Sequence, residues 1–218
     1  MAGIAQNLQL VRARIDARPG VILLAVSKGQ DVERMREAIA AGQKAFGENY
    51  VQEAVRKMPQ LPALEWHLIG PLQSNKTRIA AERFDWVQTI ASEKVARRLS
   101  EQRPAHLAPL NVLIQVNVSA EKSKSGLALH EVTVLARAIA AMPRLRLRGL
   151  MAIPEPGAAR SRYQDVKRTF DSLKDEFAFD TLSMGMSEDL DIALAEGATL
   201  VRIGTAIFGP RRNQRSAA

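Results

Sequence analysis

Cysteine is absent from the chain, which removes disulfides, thiolate zinc sites, iron–sulfur clusters and cysteine nucleophiles. It also makes a reducing cytoplasm the natural compartment. Histidine is scarce, and His67, His106 and His130 lie far apart in sequence, so no metal-ligand set is apparent. Aromatic residues make up only 5% of the chain, and no zinc-finger, RNA-recognition or basic-zipper pattern occurs, so nucleic acid is not an expected partner. No apolar run approaches the roughly 18 to 20 residues of a membrane span. The start, Met-Ala-Gly-Ile-Ala-Gln-Asn-Leu, lacks a signal peptide's basic region and long apolar core. The expectation is a soluble cytoplasmic protein without a membrane partner.

What is present is globular in composition: 218 residues, 46% hydrophobic and 25% charged, enough to bury one sizeable core. The net charge of +8 is spread along amphipathic segments, except for a basic tail over 210–218 with Arg211, Arg212 and Arg215, read as a solvated end. Small phosphorylated ligands suit the same charge.

The stretch Val21 to Lys28, Val-Ile-Leu-Leu-Ala-Val-Ser-Lys, lies between Pro19-Gly20 and Gly29. So short an apolar run predicts a strand buried on both faces, as in parallel sheets, rather than a helix. Lysine is rarely buried without a partner or a task, and a desolvated amine becomes neutral and nucleophilic. Lys28 either delivers an amine into a site or simply ends the strand in solvent.

The rest of the chain alternates. Ile4, Leu8, Val11 and Ile15 fall at helical spacing, predicting an opening helix within 1–18. Further strands are expected at Lys44–Asn49, Glu65–Ile69, Phe84–Ile90, Leu110–Val118, Leu145–Met151, Thr181–Met184 and Thr199–Ile203. Between them lie helices, with Asp31, Ser74 and Ser92 as N-caps and a long helix over Ala159–Phe177; another runs from Ser187 to Glu196. This pattern predicts one domain over 1–218, a single α/β TIM-type (β/α)8 barrel with an extra N-terminal helix. A doubly wound open sheet is the alternative.

In a barrel the loops after the strands gather on one face and carry the site. Their polar residues are Lys28, Glu48, Asn49, His67, Asn117, Ser119, Ser183, Ser187, Arg202, Gly204 and Thr205, with Gln73 to Lys76 beyond the third strand. Barrels often bind phosphate between the loops after strands seven and eight. There Gly204 permits close approach, Thr205 adds a hydroxyl, and Ser183 and Ser187 sit on the neighbouring loop. An amine from strand one plus that cradle suggests a phosphorylated aldehyde held as a Schiff base, and pyridoxal 5'-phosphate is the commonest such ligand. Arg202 would lie beside the ring, where a guanidinium only donates and keeps the pyridine nitrogen unprotonated. That makes the ring a poor electron sink.

Four stretches bring a resemblance with them. They are Ala25-Val26-Ser27-Lys28; Gly47 to Glu53 (Gly-Glu-Asn-Tyr-Val-Gln-Glu); Trp66 to Lys76 (Trp-His-Leu-Ile-Gly-Pro-Leu-Gln-Ser-Asn-Lys); and Ser183 to Asp189 with Val201 to Gly209. In that order they closely resemble the pyridoxal phosphate homeostasis protein family. The resemblance implies a barrel similar to the N-terminal domain of bacterial alanine racemase, carrying pyridoxal phosphate on Lys28. By the same resemblance Arg202 matches the arginine at the pyridine nitrogen, Gly204 and Thr205 match the phosphate turn, and Ser183 and Ser187 match serines near the phosphate. Asn49 matches a pocket residue. The implied function is cofactor carrying and buffering in vitamin B6 homeostasis by a monomer without catalytic residues, with pyridoxal-phosphate-dependent client enzymes as partners. Many members carry a second lysine two positions after the first; here that residue is Gln30.

A pyridoxal-phosphate-dependent racemase or lyase acting on a small amino acid is the alternative. Racemisation needs acid/base groups on both faces of the α-carbon, and alanine racemase takes the second, a tyrosine, from a C-terminal β-domain that the chain to Ala218 is expected to lack. Of the tyrosines, Tyr163 is expected to pack mid-helix, which leaves Tyr50. His67 is expected to be a satisfied interior histidine, and Met184 and Met186 barrel packing. Lys76, Lys122 and Lys124 are expected to be solvated.

Overall fold

The structure, a computed structural model, describes residues 3–119 and 125–210. Arg211, Arg212, Arg215, Lys122 and Lys124 lie outside the described residues, as does most of the predicted loop over 121–126.

Eight parallel strands close in sequence order into a barrel: β1 (Ile22–Val26), β2 (Ala45–Glu48), β3 (Glu65–Leu68), β4 (Trp86–Ile90), β5 (Leu110–Val116), β6 (Leu145–Ala152), β7 (Thr181–Ser183) and β8 (Leu200–Ile203). The barrel expectation holds, and the open sheet is excluded because β1 pairs with both β2 and β8. Around it lie α1 (Ile4–Ile15), α2 (Val32–Ala40), α3 (Val51–Lys57), α4 (Thr77–Arg83), α5 (Glu93–Gln102), α6 (Val132–Ala140), α7 (Arg160–Phe177), α8 (Leu190–Ala195) and α9 (Thr205–Phe208). Among the described residues no helix is long and apolar enough to cross a membrane.

α1 is the extra helix. Its Ile4, Leu8, Val11 and Ile15 are all buried, each contributing roughly 1.5–3 kcal/mol of hydrophobic stabilisation. Asn7 Nδ2 donates to the carbonyl of Ile207 at 2.9 Å, and Arg12 Nη1 to that of Ala41, also at 2.9 Å. The first helix is thereby fastened to α9 and to the end of α2, near the seam where β8 meets β1.

Local chemistry accounts for some of the element ends. Asp31 accepts from the Arg34 amide and Ser92 from that of Val95, as expected of N-caps. Ser74 does not cap: a 3₁₀ turn over Ser74–Lys76 precedes α4, and the Ser74 carbonyl accepts the Thr77 hydroxyl at 2.9 Å. β1 is buried on both faces only in its second half, since Ile22 at the barrel floor is 42% exposed. α8 starts at Leu190 rather than Ser187. Gly185 has a φ of +97°, and the Met186 amide donates to Asp189 Oδ1 at 2.6 Å, so Met186 to Asp189 form a side-chain-closed turn instead of helix.

Candidate functional site

The C-terminal mouth of the barrel holds a cavity of about 240 Å³. That is a little below the roughly 300 Å³ at which ligand pockets usually begin, a size for one small ring. Lys28, Asn49, Ser187, Arg202, Gly204 and Thr205 line it together. Val26, Ile69 and Ile153 add apolar wall; Gln30 and Met186 also face it. Residues from both ends of the chain meet because β1 pairs with β8, with Leu24 opposite Arg202.

Lys28 follows β1 by two residues and is half-buried. The peptide groups on either side of it are held by charged side chains. Lys57 Nζ donates to the Ser27 carbonyl at 2.8 Å, and the Gly29 amide donates to Glu53 Oε1 at 2.6 Å. Lys57 itself is buried between carboxylates, 2.7 Å from Glu48 Oε1 and 2.7 Å from Glu53 Oε1. The Ser27 hydroxyl donates to Glu48 Oε1 at 2.7 Å. Burial pushes the Glu48 carboxyl up from its ordinary value, with Lys57 pulling against it.

Asn49 follows β2 directly and lies beside Gly70. A β-carbon on Gly70 would stand 2.2 Å from the Asn49 carbonyl oxygen, so only glycine lets the loop after β3 pack against Asn49.

Arg202 is 4% exposed. Nη1 donates to Ser183 Oγ at 2.6 Å and Nη2 to the Ala152 carbonyl at 2.8 Å. Burial pulls its pKa down to about 10, opposed by Asp189, which still leaves the guanidinium charged near neutrality. On the cavity wall the single carboxylate among the described residues is that of Glu188, which is exposed.

The turn from β8 into α9 places Gly204 and Thr205 opposite Ser187, whose Oγ accepts from the Ala206 amide at 3.3 Å. A β-carbon on Gly204 would come within 3.2 Å of the Val26 carbonyl, tight enough that β1 and this turn meet most easily across a glycine.

Ser183 does not reach the cavity. It is fully buried one layer below, accepting from Arg202 and donating to Gln88 Oε1 at 2.7 Å. Ser119 donates to Glu155 at 2.7 Å, and neither it, Asn117 nor Lys76 lines the cavity. Met184 is buried core as expected, whereas Met186 lines the cavity instead of packing the barrel. Its place in the turn closed by Asp189 swings it toward the mouth. His67 is the satisfied interior histidine expected, bonded to Glu65 and Gln88. Tyr50 is 65% exposed and off the cavity wall. Tyr163 is buried, and its hydroxyl donates to Asp189 Oδ2 at 2.6 Å. Burial drives that hydroxyl well above its usual pKa. Among the described residues no cluster of metal-ligating side chains occurs.

Sequence reasoning assigned no role to Lys57 or Glu53. Spaced four apart on a helix, they have the pattern of an ordinary surface ion pair, and nothing in that spacing signals burial. Gln88 was missed for a similar reason: inside a predicted strand it carries no motif.

Comparison with known proteins gives the class first. Residues 1–212 match the family model of the alanine racemase N-terminal domain. Alanine racemase from Corynebacterium glutamicum shares the fold, with a TM-score of 0.78 at 18% identity over 98% of this chain and 62% of that one. Nearer relatives are more specific. The pyridoxal phosphate homeostasis protein of Escherichia coli (strain K12) is 53% identical over 229 residues, 97% of this chain and 98% of the relative. That of Pseudomonas aeruginosa is 53% identical over 223 residues, 97% of each. PipY of Synechococcus elongatus, solved with PLP bound, is 36% identical with a TM-score of 0.86, covering 94% of this chain and 100% of that one. This chain belongs to the pyridoxal phosphate homeostasis protein family.

Proposed function

We propose that this protein binds pyridoxal 5'-phosphate through a Schiff base between Lys28 Nζ and the cofactor's aldehyde, and that it carries and buffers the cofactor rather than using it as a catalyst. The observation that carries the reading is that an amine, a buried guanidinium and a hydroxyl-lined turn converge on one small cavity: Lys28, Arg202 and Gly204-Thr205 with Ser187. The PLP-bound PipY structure supports it at 36% identity.

The cofactor supplies an aldehyde for the amine and, when its ring nitrogen is protonated, an electron sink. In this site Lys28 would hold the aldehyde carbon. Gly204, Thr205 and Ser187 would hold the phosphate, with Asn49 beside them on the cavity wall. Arg202, a charged group that only donates, would favour a ring nitrogen without a proton. Ser183 acts through Arg202. Gln30, at the position of the family's second lysine, offers an amide to the cavity where an amine would compete for the aldehyde.

A carrier also fits the tyrosines. Tyr50 lies off the cavity wall, and the Tyr163 hydroxyl is engaged by Asp189, so neither is placed as the second acid/base group of a racemase. The proposed setting is a cytoplasmic monomer of one domain that hands cofactor to pyridoxal-phosphate-dependent client enzymes. To test the carrier against an enzyme, the holoprotein is incubated with single-enantiomer amino acids in deuterated water. The carrier reading expects no α-proton exchange above that of free cofactor, and exchange at enzymatic rates contradicts it.

A further inference from the structure

A buried row of hydrogen bonds crosses the barrel interior from β3 to Arg202. It begins at Glu65, at the N-terminal end of β3, whose half-exposed carboxylate lies 2.7 Å from His67 Nε2. His67 Nδ1 is 2.8 Å from Gln88 Nε2, Gln88 Oε1 is 2.7 Å from Ser183 Oγ, and Ser183 Oγ is 2.6 Å from Arg202 Nη1. His67, Gln88 and Ser183 are fully buried.

With the His67 ring neutral, the two ends decide the sense of every bond between them. A guanidinium only donates and a carboxylate only accepts. Ser183 Oγ therefore accepts from Arg202 and passes its own proton to Gln88 Oε1. The Gln88 amide then turns Nε2 toward His67, which receives it on an unprotonated Nδ1 and keeps its proton on Nε2 for Glu65. Burial favours the neutral ring, against the charges of Glu65 and Asp85. The bond from His67 favours the ionised Glu65. Trp86 stacks on the His67 ring at 5.0 Å and 8°, with the Arg148 guanidinium 4.8 Å from the Trp86 centroid, so the ring is fixed in plane as well as in protonation.

We infer that Glu65, His67, Gln88 and Ser183 are positioning residues for Arg202, a one-way chain of donors that fixes the guanidinium beneath the cavity. The Ala152 carbonyl anchors Nη2; the row anchors Nη1, and the two together remove rotation of the guanidinium in its plane. While the His67 ring stays neutral, reversing any joint sets donor against donor or acceptor against acceptor in a buried site. The consequence for the ring nitrogen rests on the cofactor reading above, while the proton arrangement stands apart from it.

The test has a cofactor-independent arm. With only three histidines in the chain and His106 and His130 exposed, nitrogen-15 NMR of histidine-labelled protein resolves each ring. At about pH 6.5, where an exposed histidine is half protonated, His67 is expected to be neutral and protonated on Nε2 alone. A charged ring, or a proton on Nδ1, overturns the inference. The second arm uses Gln88→Met, which keeps the volume and breaks the row, and Glu65→Met, which removes the terminal acceptor at a half-exposed position. With added pyridoxal phosphate, both are expected to keep cooperative unfolding and borohydride labelling of Lys28. Each is also expected to shift the visible band and to release cofactor faster, Gln88→Met by roughly two- to tenfold, the range for losing a hydrogen bond between neutral groups. Bands and release rates equal to wild type overturn the inference. If Gln88→Met fails to fold, Glu65→Met decides. If wild type is never labelled at Lys28, the cofactor reading fails and the NMR arm still decides the chain.

Discussion

Lys57 Nζ lies 2.8 Å from the carbonyl oxygen of Ser27, so a buried ammonium grips the peptide that immediately precedes the proposed cofactor lysine. Glu53, bonded to Lys57, takes the amide of Gly29 on the other side. The two side chains hold Lys28 by its backbone while its amine lines the cavity. A charged pair is an expensive way to stabilise a fold, because desolvation consumes much of the attraction. Here the geometry ties the expense to the placement of one amine.

Lys57→Met leaves Glu48 buried and uncompensated. Breaking a buried pair from one side typically costs about 3–5 kcal/mol, so urea unfolding should show a loss of that size. The double variant Lys57→Met with Glu48→Gln should recover part of the loss, and failure to recover any would mean the pair is not the source of the cost.

Glu48 also sets a pH dependence. Its pKa in the folded chain is raised above the ordinary 4.5 by burial. The folded state therefore binds a proton at Glu48 more tightly than the unfolded state does. The associated stability is fully present below the unfolded value and is lost as pH rises through the raised one. Glu48→Gln has no such proton to bind. The stability of wild type minus that of Glu48→Gln should fall as pH is raised from about 4 toward neutrality, as read from urea midpoints. A difference that rises over the same window contradicts the assignment.

Tyr163→Phe removes the hydroxyl that Asp189 accepts, a bond to a charged group worth about 1.5–3 kcal/mol. Asp189 also closes the turn carrying Met186 and Ser187, so binding of pyridoxal phosphate should weaken along with stability. Unchanged affinity with lowered stability would show that Tyr163 supports the fold alone.

Gly70→Ala places a methyl 2.2 Å from the Asn49 carbonyl, a backbone collision that no side-chain rotation relieves. The expected result is a folded but destabilised protein whose cofactor affinity drops more than that of Gly3→Ala, where a β-carbon meets nothing within 4 Å and φ is −72°. Equal effects at the two glycines would remove Gly70 from the site.

Much of this architecture was legible in the sequence. Apolar runs such as Leu110 to Val116, too short for helices, alternate with amphipathic segments such as Tyr163, Val166, Phe170 and Leu173, and that alternation yields the barrel. Once the strands are counted, Lys28, Arg202, Gly204 and Thr205 fall on one face without further information. Depth was not legible. Lys57 has the spacing of a surface residue, and its burial follows from α3 packing against β2, whose Glu48 it meets beside the Ser27 carbonyl. Ser183 was expected at the phosphate, but it pairs with Leu200, two residues before Arg202 on β8. Its side chain therefore sits a layer below the mouth, bonded to Arg202. Bonds such as Ser183 to Gln88 link residues 95 apart, which periodicity along one chain does not encode.

The central claim is that Lys28 carries the cofactor as a Schiff base. The most direct measurement is the visible spectrum of the purified protein with pyridoxal phosphate before and after borohydride reduction, followed by mass mapping of the labelled peptide. The account predicts a yellow band that reduction bleaches, a reduced pyridoxyl group on Lys28, and neither in Lys28→Ala. A colourless protein, or a label that persists on another lysine when Lys28 is replaced, would contradict it.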